Sequence, residues 1–119
     1  MGIGVNKKFL ALGRMKSGER NKLEQSYETH LESLKQAGEI QWYKFEGITF
    51  KLASDTRYTP DFMVMLPNGE LECHECKSIW RDDAKIKIKV AAEMFPFRFI
   101  AVYAKTKKEG GGFRSENFS

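Results

Sequence analysis

An α/β domain built on one mixed sheet is what this sequence predicts, and three observations lead there. A helical stripe comes first, with Leu23, Tyr27, Leu31 and Leu34 at i, i+4, i+8 and i+11. Runs rich in aromatic and β-branched residues follow, each short enough for a strand. A second helical segment then separates the last run from the others, and a helix between strands of one sheet is the usual crossover to a parallel neighbour. The resulting order is α-β-β-β-β-α-β, a mixed central sheet flanked by helices.

Residues 1–20 scatter Gly2, Gly4, Gly13 and Gly18 among basic and apolar residues and read as a flexible basic arm. The first helix starts near Asn21 and stops at Gly38. Ile40 to Phe45 and Ile48 to Leu52, joined by Glu46-Gly47, read as a hairpin. Residues 53–60, with Ser54, Asp55 and Pro60, read as a loop. Asp61 to Leu66 is apolar on both faces and reads as a central strand. After Pro67-Asn68-Gly69, another strand runs from Glu70 to about Lys77.

Lys85 to Val90 alternates as a strand would, yet Ala84, Ile88, Ala91, Ala92 and Phe95 also satisfy a helical stripe. Asp82 and Asp83 suit a helix N-terminus, so the expectation is a helix capped by one of them and ending near Met94. Pro96 punctuates, and Phe97 to Tyr103 is the last strand. The domain then spans residues 21–104. Residues 105–119, with Gly110-Gly111-Gly112, read as a mobile basic tail.

At 119 residues the chain has the length of one domain, with 41% hydrophobic and 30% charged residues, a balance that argues against disorder. No apolar run approaches the ~20 residues that span a bilayer, and no signal-peptide pattern opens the chain. The expectation is a cytoplasmic protein without a membrane partner. Cys73 and Cys76 fall on opposite faces of a strand, which disfavours a disulfide. A zinc site made of Cys73, His74 and Cys76 is disfavoured for the same reason. Charge is segregated: six Lys/Arg against one Glu in residues 1–22, six against twelve acids in 23–83, and eight against three in 84–119. An acidic middle between basic ends suits a metal site set in a phosphate-binding surface.

The chemistry depends on one turn. With Pro67-Asn68-Gly69 as a three-residue loop, Pro suits the second position of a type I turn and Gly the left-handed position that follows. Leu66 then pairs with Glu70, and counting along the ladder puts Asp61 opposite Glu75. Lys77 is two residues from Glu75 and shares its face. Two opposed, partly buried carboxylates repel unless a cation lies between them. Hard oxygen donors with open positions suit Mg²⁺, and a neighbouring lysine can orient or deprotonate water and steady developing charge.

Pro60-Asp61 followed after a short hairpin by Glu75-Cys76-Lys77 resembles the PD-(D/E)XK nuclease superfamily, whose core runs α-β-β-β-α-β. Asn21 to Tyr27, the Ala37-Gly38-Glu39-Ile40 turn, Tyr58 to Phe62 and His74 to Lys77 are similar to small phage-encoded members, including Holliday-junction-resolvase-like ones. The likeness covers about residues 20–103. It implies a restriction-endonuclease-like fold and Mg²⁺-dependent DNA cleavage, with Mn²⁺ able to substitute. Asp61 and Glu75 would be metal ligands and Lys77 the catalytic lysine, with the Cys76 backbone carbonyl completing the site. Cys76 departs from the Val common at the middle position, a small apolar exchange. Glu24 is the candidate for the helix glutamate that several members add, with Glu28 as fallback.

Arg81, Lys85, Lys87 and Lys89, with Lys7, Lys8, Arg14 and Lys16 in the arm and Lys105, Lys107 and Lys108 in the tail, are candidate phosphate contacts. Tyr58 and Trp80 flank the site, where core packing outweighs base stacking as a role. Cutting two strands with one site per chain favours a homodimer. A non-catalytic nucleic-acid-binding or assembly protein that keeps the fold is the competing expectation.

Overall fold

The computed structural model describes residues 20–119. The expected basic arm, with Lys7 and Lys8, lies outside the described residues apart from Arg20. Helix α1 spans Lys22–Gln36 and opens with a reciprocal cap. Asn21 Oδ1 accepts from the Glu24 amide at 2.8 Å, and Glu24 Oε1 accepts from the Asn21 amide at 2.9 Å. Tyr27 and Leu31 of the predicted stripe are buried, while Leu23 and Leu34 pack partly buried against them.

The strands are β1 Trp42–Phe45, β2 Phe50–Ala53, β3 Thr56–Tyr58, β4 Phe62–Met65, β5 Leu71–Cys76, β6 Arg98–Ala104 and β7 Phe113–Asn117. Helix α2, Asp82–Met94, connects β5 to β6, and a single 3-10 turn at Lys107–Glu109 precedes β7. The principal sheet has the order β1-β4-β5-β6-β7. Its β5 and β6 are parallel and its other neighbours antiparallel. The mixed sheet, the crossover helix and α1 make the α/β architecture that the sequence predicts.

Three strand expectations differ from the structure. The first two strand runs do not form a hairpin: β1 pairs with β4, and β2 pairs with β3 in a separate two-stranded sheet. Glu46, at φ +49°, turns the chain away while its amide holds the Asp61 carbonyl at 2.8 Å, so the end of β1 stays beside the start of β4. The stretch read as a loop over residues 53–60 contains β3. The segment read as a tail contains β7, which pairs with β6 from Ile100↔Asn117 to Ala104↔Phe113.

The sheet separates two cores. Tyr27 and Leu31 meet Phe62, Val64, Cys76 and Val102 on the α1 side. On the other side, Ile88 and Ala91 of α2 meet Met63, Cys73 and Phe99, with Phe50 and Tyr58 of the small sheet. Burial of Ile88 and Ala91 against that face selects helix over the alternating-strand reading of Lys85–Val90. The cap differs from expectation: Arg81 is the N-cap and makes no side-chain cap bond, while Asp83 Oδ1 accepts from the Ala84 amide at 3.0 Å. Among the described residues, no helix is long and apolar enough to cross a membrane.

Candidate active site

The turn between β4 and β5 sets the site. The Gly69 amide donates to the Leu66 carbonyl at 2.9 Å, and the Leu66 amide to the Glu70 carbonyl at 2.8 Å, closing a three-residue loop. Gly69 sits at φ +89°, a conformation that favours glycine over other residues. The ladder then pairs Met65 with Leu71, Val64 with Glu72, Met63 with Cys73 and Phe62 with His74. One step further, Asp61 comes opposite Glu75, the register that the turn chemistry predicts.

Asp61 Oδ2 accepts from the Cys76 amide at 2.8 Å, across to β5. Tyr58 donates to Glu75 Oε1 at 3.0 Å, and Lys77 Nζ lies 3.3 Å from Glu75 Oε2. Glu24 acts on the same place from the start of α1, its negative charge raising Asp61 while its carboxylate accepts from the Asn21 amide. Glu28, the fallback, is instead paired with Arg20 at 2.5 Å.

Crowding shows in the acidities. Burial first, then the negative charges of Glu75 and Glu24, pushes the Asp61 carboxyl up from 3.8 to about 9. Burial also raises Glu75, against the opposing pull of Lys77 and the Tyr58 hydroxyl. Burial raises the Cys76 thiol, and the charges of Asp61, Glu24 and Glu75 raise it further. Such a cluster holds more negative charge than its surroundings solvate.

The chain matches no family model, no curated protein and no solved structure.

Asp61, Glu75, Lys77 and Glu24 come together, with the Cys76 backbone against Asp61. Among the described residues, however, no three His, Cys, Asp or Glu side chains form a group ready to hold a metal ion. Each acid already has other partners: Glu24 caps α1, Glu75 is held by Tyr58 and Lys77, and Asp61 by the Cys76 amide. Hard oxygen donors in a charge-frustrated cluster still fit a divalent cation by donor chemistry.

Lys77 and Lys85 both approach Trp80, their ammonium groups 5.5 and 6.0 Å from its ring centre. Arg81 is exposed just before α2, Lys87 is half-buried and Lys89 exposed further along the helix. Cys73 and Cys76 are free thiols in opposite cores, consistent with the faces expected of them. Sequence reasoning missed the hydrogen bond from Tyr58 to Glu75, because β3 is too short to show a period. It also missed a buried chain on the α1 side. There the Tyr27 hydroxyl meets His74 Nδ1 at 2.7 Å, His74 Nε2 meets Glu72 Oε1 at 2.9 Å, and Arg98 donates to Glu72 Oε2 at 3.2 Å.

Proposed function

We propose that this chain is a metal-dependent DNA endonuclease with a restriction-endonuclease-like core, hydrolysing phosphodiester bonds in the cytoplasm, which is the host's for a phage-encoded protein. The observation that supports this reading is the forced meeting of Asp61 and Glu75 on paired strands, with Lys77 beside Glu75. Asp61, Glu75, Glu24 and the Cys76 carbonyl would hold Mg²⁺, or Mn²⁺ in its place. When bound, that ion supplies electrophilic activation of the phosphodiester and acidifies a bound water.

The remaining work falls to the chain's own groups. Lys77 puts a cation where negative charge develops on the phosphate. Tyr58 fixes the Glu75 carboxylate from the opposite side and keeps one oxygen oriented. Arg81 and Lys85 would grip flanking phosphates without reading bases. A homodimer would supply the second site needed to cut both strands. Resolution of four-way junctions and nicking of plain duplex fit this reading equally.

The competing reading, a binding or assembly protein that keeps the fold, draws on the lack of a ready three-ligand group among the described residues. Purified protein on four-way junctions, linear duplex and single strands with Mg²⁺ separates the two. The hydrolase cleaves, and Lys77→Ala abolishes cleavage while DNA binding survives. No Mg²⁺-dependent cleavage by the unmutated protein would leave the binding module, and equal rates on all three substrates would remove the junction preference.

A further inference from the structure

A cleft of about 680 Å³ opens at the carboxyl ends of β5 and β6, between the start of α1 and the β6–β7 hairpin. Lys22 of α1, Lys77, Tyr103 and Arg114 of β7 line it, together with Cys76 and Glu109. Three of these side chains are cations. The lone carboxylate, Glu109, accepts from the Thr106 amide at 2.8 Å, a partner within its own turn. The cleft therefore shares Cys76 and Lys77 with the candidate active site and continues from it along a cationic wall.

Arg114 is set in place rather than free. It stands opposite Tyr103 in the β6–β7 ladder, and its guanidinium lies 4.0 Å from the centre of that ring. Tyr103 is fixed in turn, since Trp80 Nε1 donates to its hydroxyl at 2.6 Å and that hydroxyl donates to Glu116 Oε1 at 2.6 Å. Lys22 occupies the first turn of α1, where the helix dipole adds positive potential. An oriented guanidinium, a helix start and two ammonium groups around one open cleft suit a chain of phosphates better than any single anion.

We propose that this cleft is the groove that receives a nucleic-acid strand, with Arg114 and Lys22 as contacts to the phosphates flanking the one over Lys77. The proposal deepens the endonuclease reading by assigning its substrate path. It makes β7 part of the binding surface. Arg114 binds phosphate through a planar fork, so a lysine there keeps the charge but loses the ring stacking.

The test is fluorescence anisotropy of a labelled four-way junction in chelator, so that cleavage plays no part, with affinity followed across salt concentration. Arg114→Ala and Lys22→Ala should each weaken binding roughly five- to tenfold near 0.1 M salt and flatten the log–log salt slope by about one. Arg114→Lys should fall between, and Lys51→Ala, exposed on β2 away from the cleft, should match the unmutated protein. Unchanged affinity and slope in both alanine variants overturns the groove, as does an equal loss in Lys51→Ala. If both alanine variants lose binding while the unmutated protein never cleaves with Mg²⁺, the groove stands and the hydrolase falls. If cleavage occurs and neither variant loses binding, the reverse holds.

Discussion

Strand β5 carries two buried glutamates, three residues apart, whose surroundings treat them in opposite ways. Glu72 faces α1, where the His74 ring and then Arg98 hold its carboxyl below the usual carboxylate range in spite of burial. Glu75 faces the small sheet, where burial holds its carboxyl above that range although Lys77 and Tyr58 pull the other way. The difference lies in the company. Glu72 has a closed chain of partners from Tyr27 to Arg98, whereas Glu75 must share its space with Asp61, which is itself pressed by Glu24. A buried charge with matched partners stabilises a fold, whereas buried carboxylates crowded against one another mark a candidate functional site.

The sharpest way to break this comparison is Asp61→Asn. On the endonuclease reading it removes a ligand and should lower the cleavage rate by at least about 10²-fold, or roughly 3 kcal/mol of transition-state stabilisation. Stability should move the other way. The folded-state acidity of Asp61, about 9, lies above its ordinary value of 3.8. Its favourable contribution is thus complete below pH ~4 and drains away as pH rises towards 9. In chelator, the unmutated protein should lose melting temperature between pH 5 and 9 more steeply than Asp61→Asn, which should melt higher at pH 8. Parallel melting curves would mean that the acids are not in conflict.

His74→Ala probes the settled side of the same strand. It deletes a ring with a partner at each nitrogen and strands the Tyr27 hydroxyl and one oxygen of Glu72 in the α1 core. A loss of about 2–4 kcal/mol in urea unfolding is expected, from the vacated volume together with the unpaired groups. A near-neutral outcome would show that the chain of partners contributes little and that the contrast between the faces is only apparent.

Much of this contrast was legible in the residues. Alternation along Glu70–Lys77 assigned the two faces, and Pro67-Asn68-Gly69 fixed the register because its turn chemistry admits few loop lengths. Strand partners were not legible. Aromatic and β-branched composition marks the β1 and β2 runs as strands, but it does not say that β1 prefers β4, a choice made by packing of Phe45 and Tyr43 on Phe62. Nor did composition separate flexible glycines from specified ones. Gly110, Gly111 and Gly112 all adopt positive φ and return the chain to β7, so a run that looked loose shapes a turn. Glu24 was legible by position, and so was its second task, because the spacing from Asn21 to Glu24 is that of a capping box.

The smallest expected effect is the most discriminating. Tyr27→Phe removes one hydroxyl from His74 Nδ1 and leaves the ring in its place, edge-on to Phe62 and Phe113 at 5.8 and 5.0 Å. The cost should be about 1 kcal/mol, one buried hydrogen bond. Tyr27 is also one helical turn from Glu24, so it connects the settled face to the frustrated one. If the faces work independently, the variant keeps full cleavage activity per folded molecule and an unchanged Mg²⁺ dependence. A tenfold loss of activity with so small a loss of stability would show that the Tyr27–His74 bond sets the position of α1, and through it that of Glu24 against Asp61.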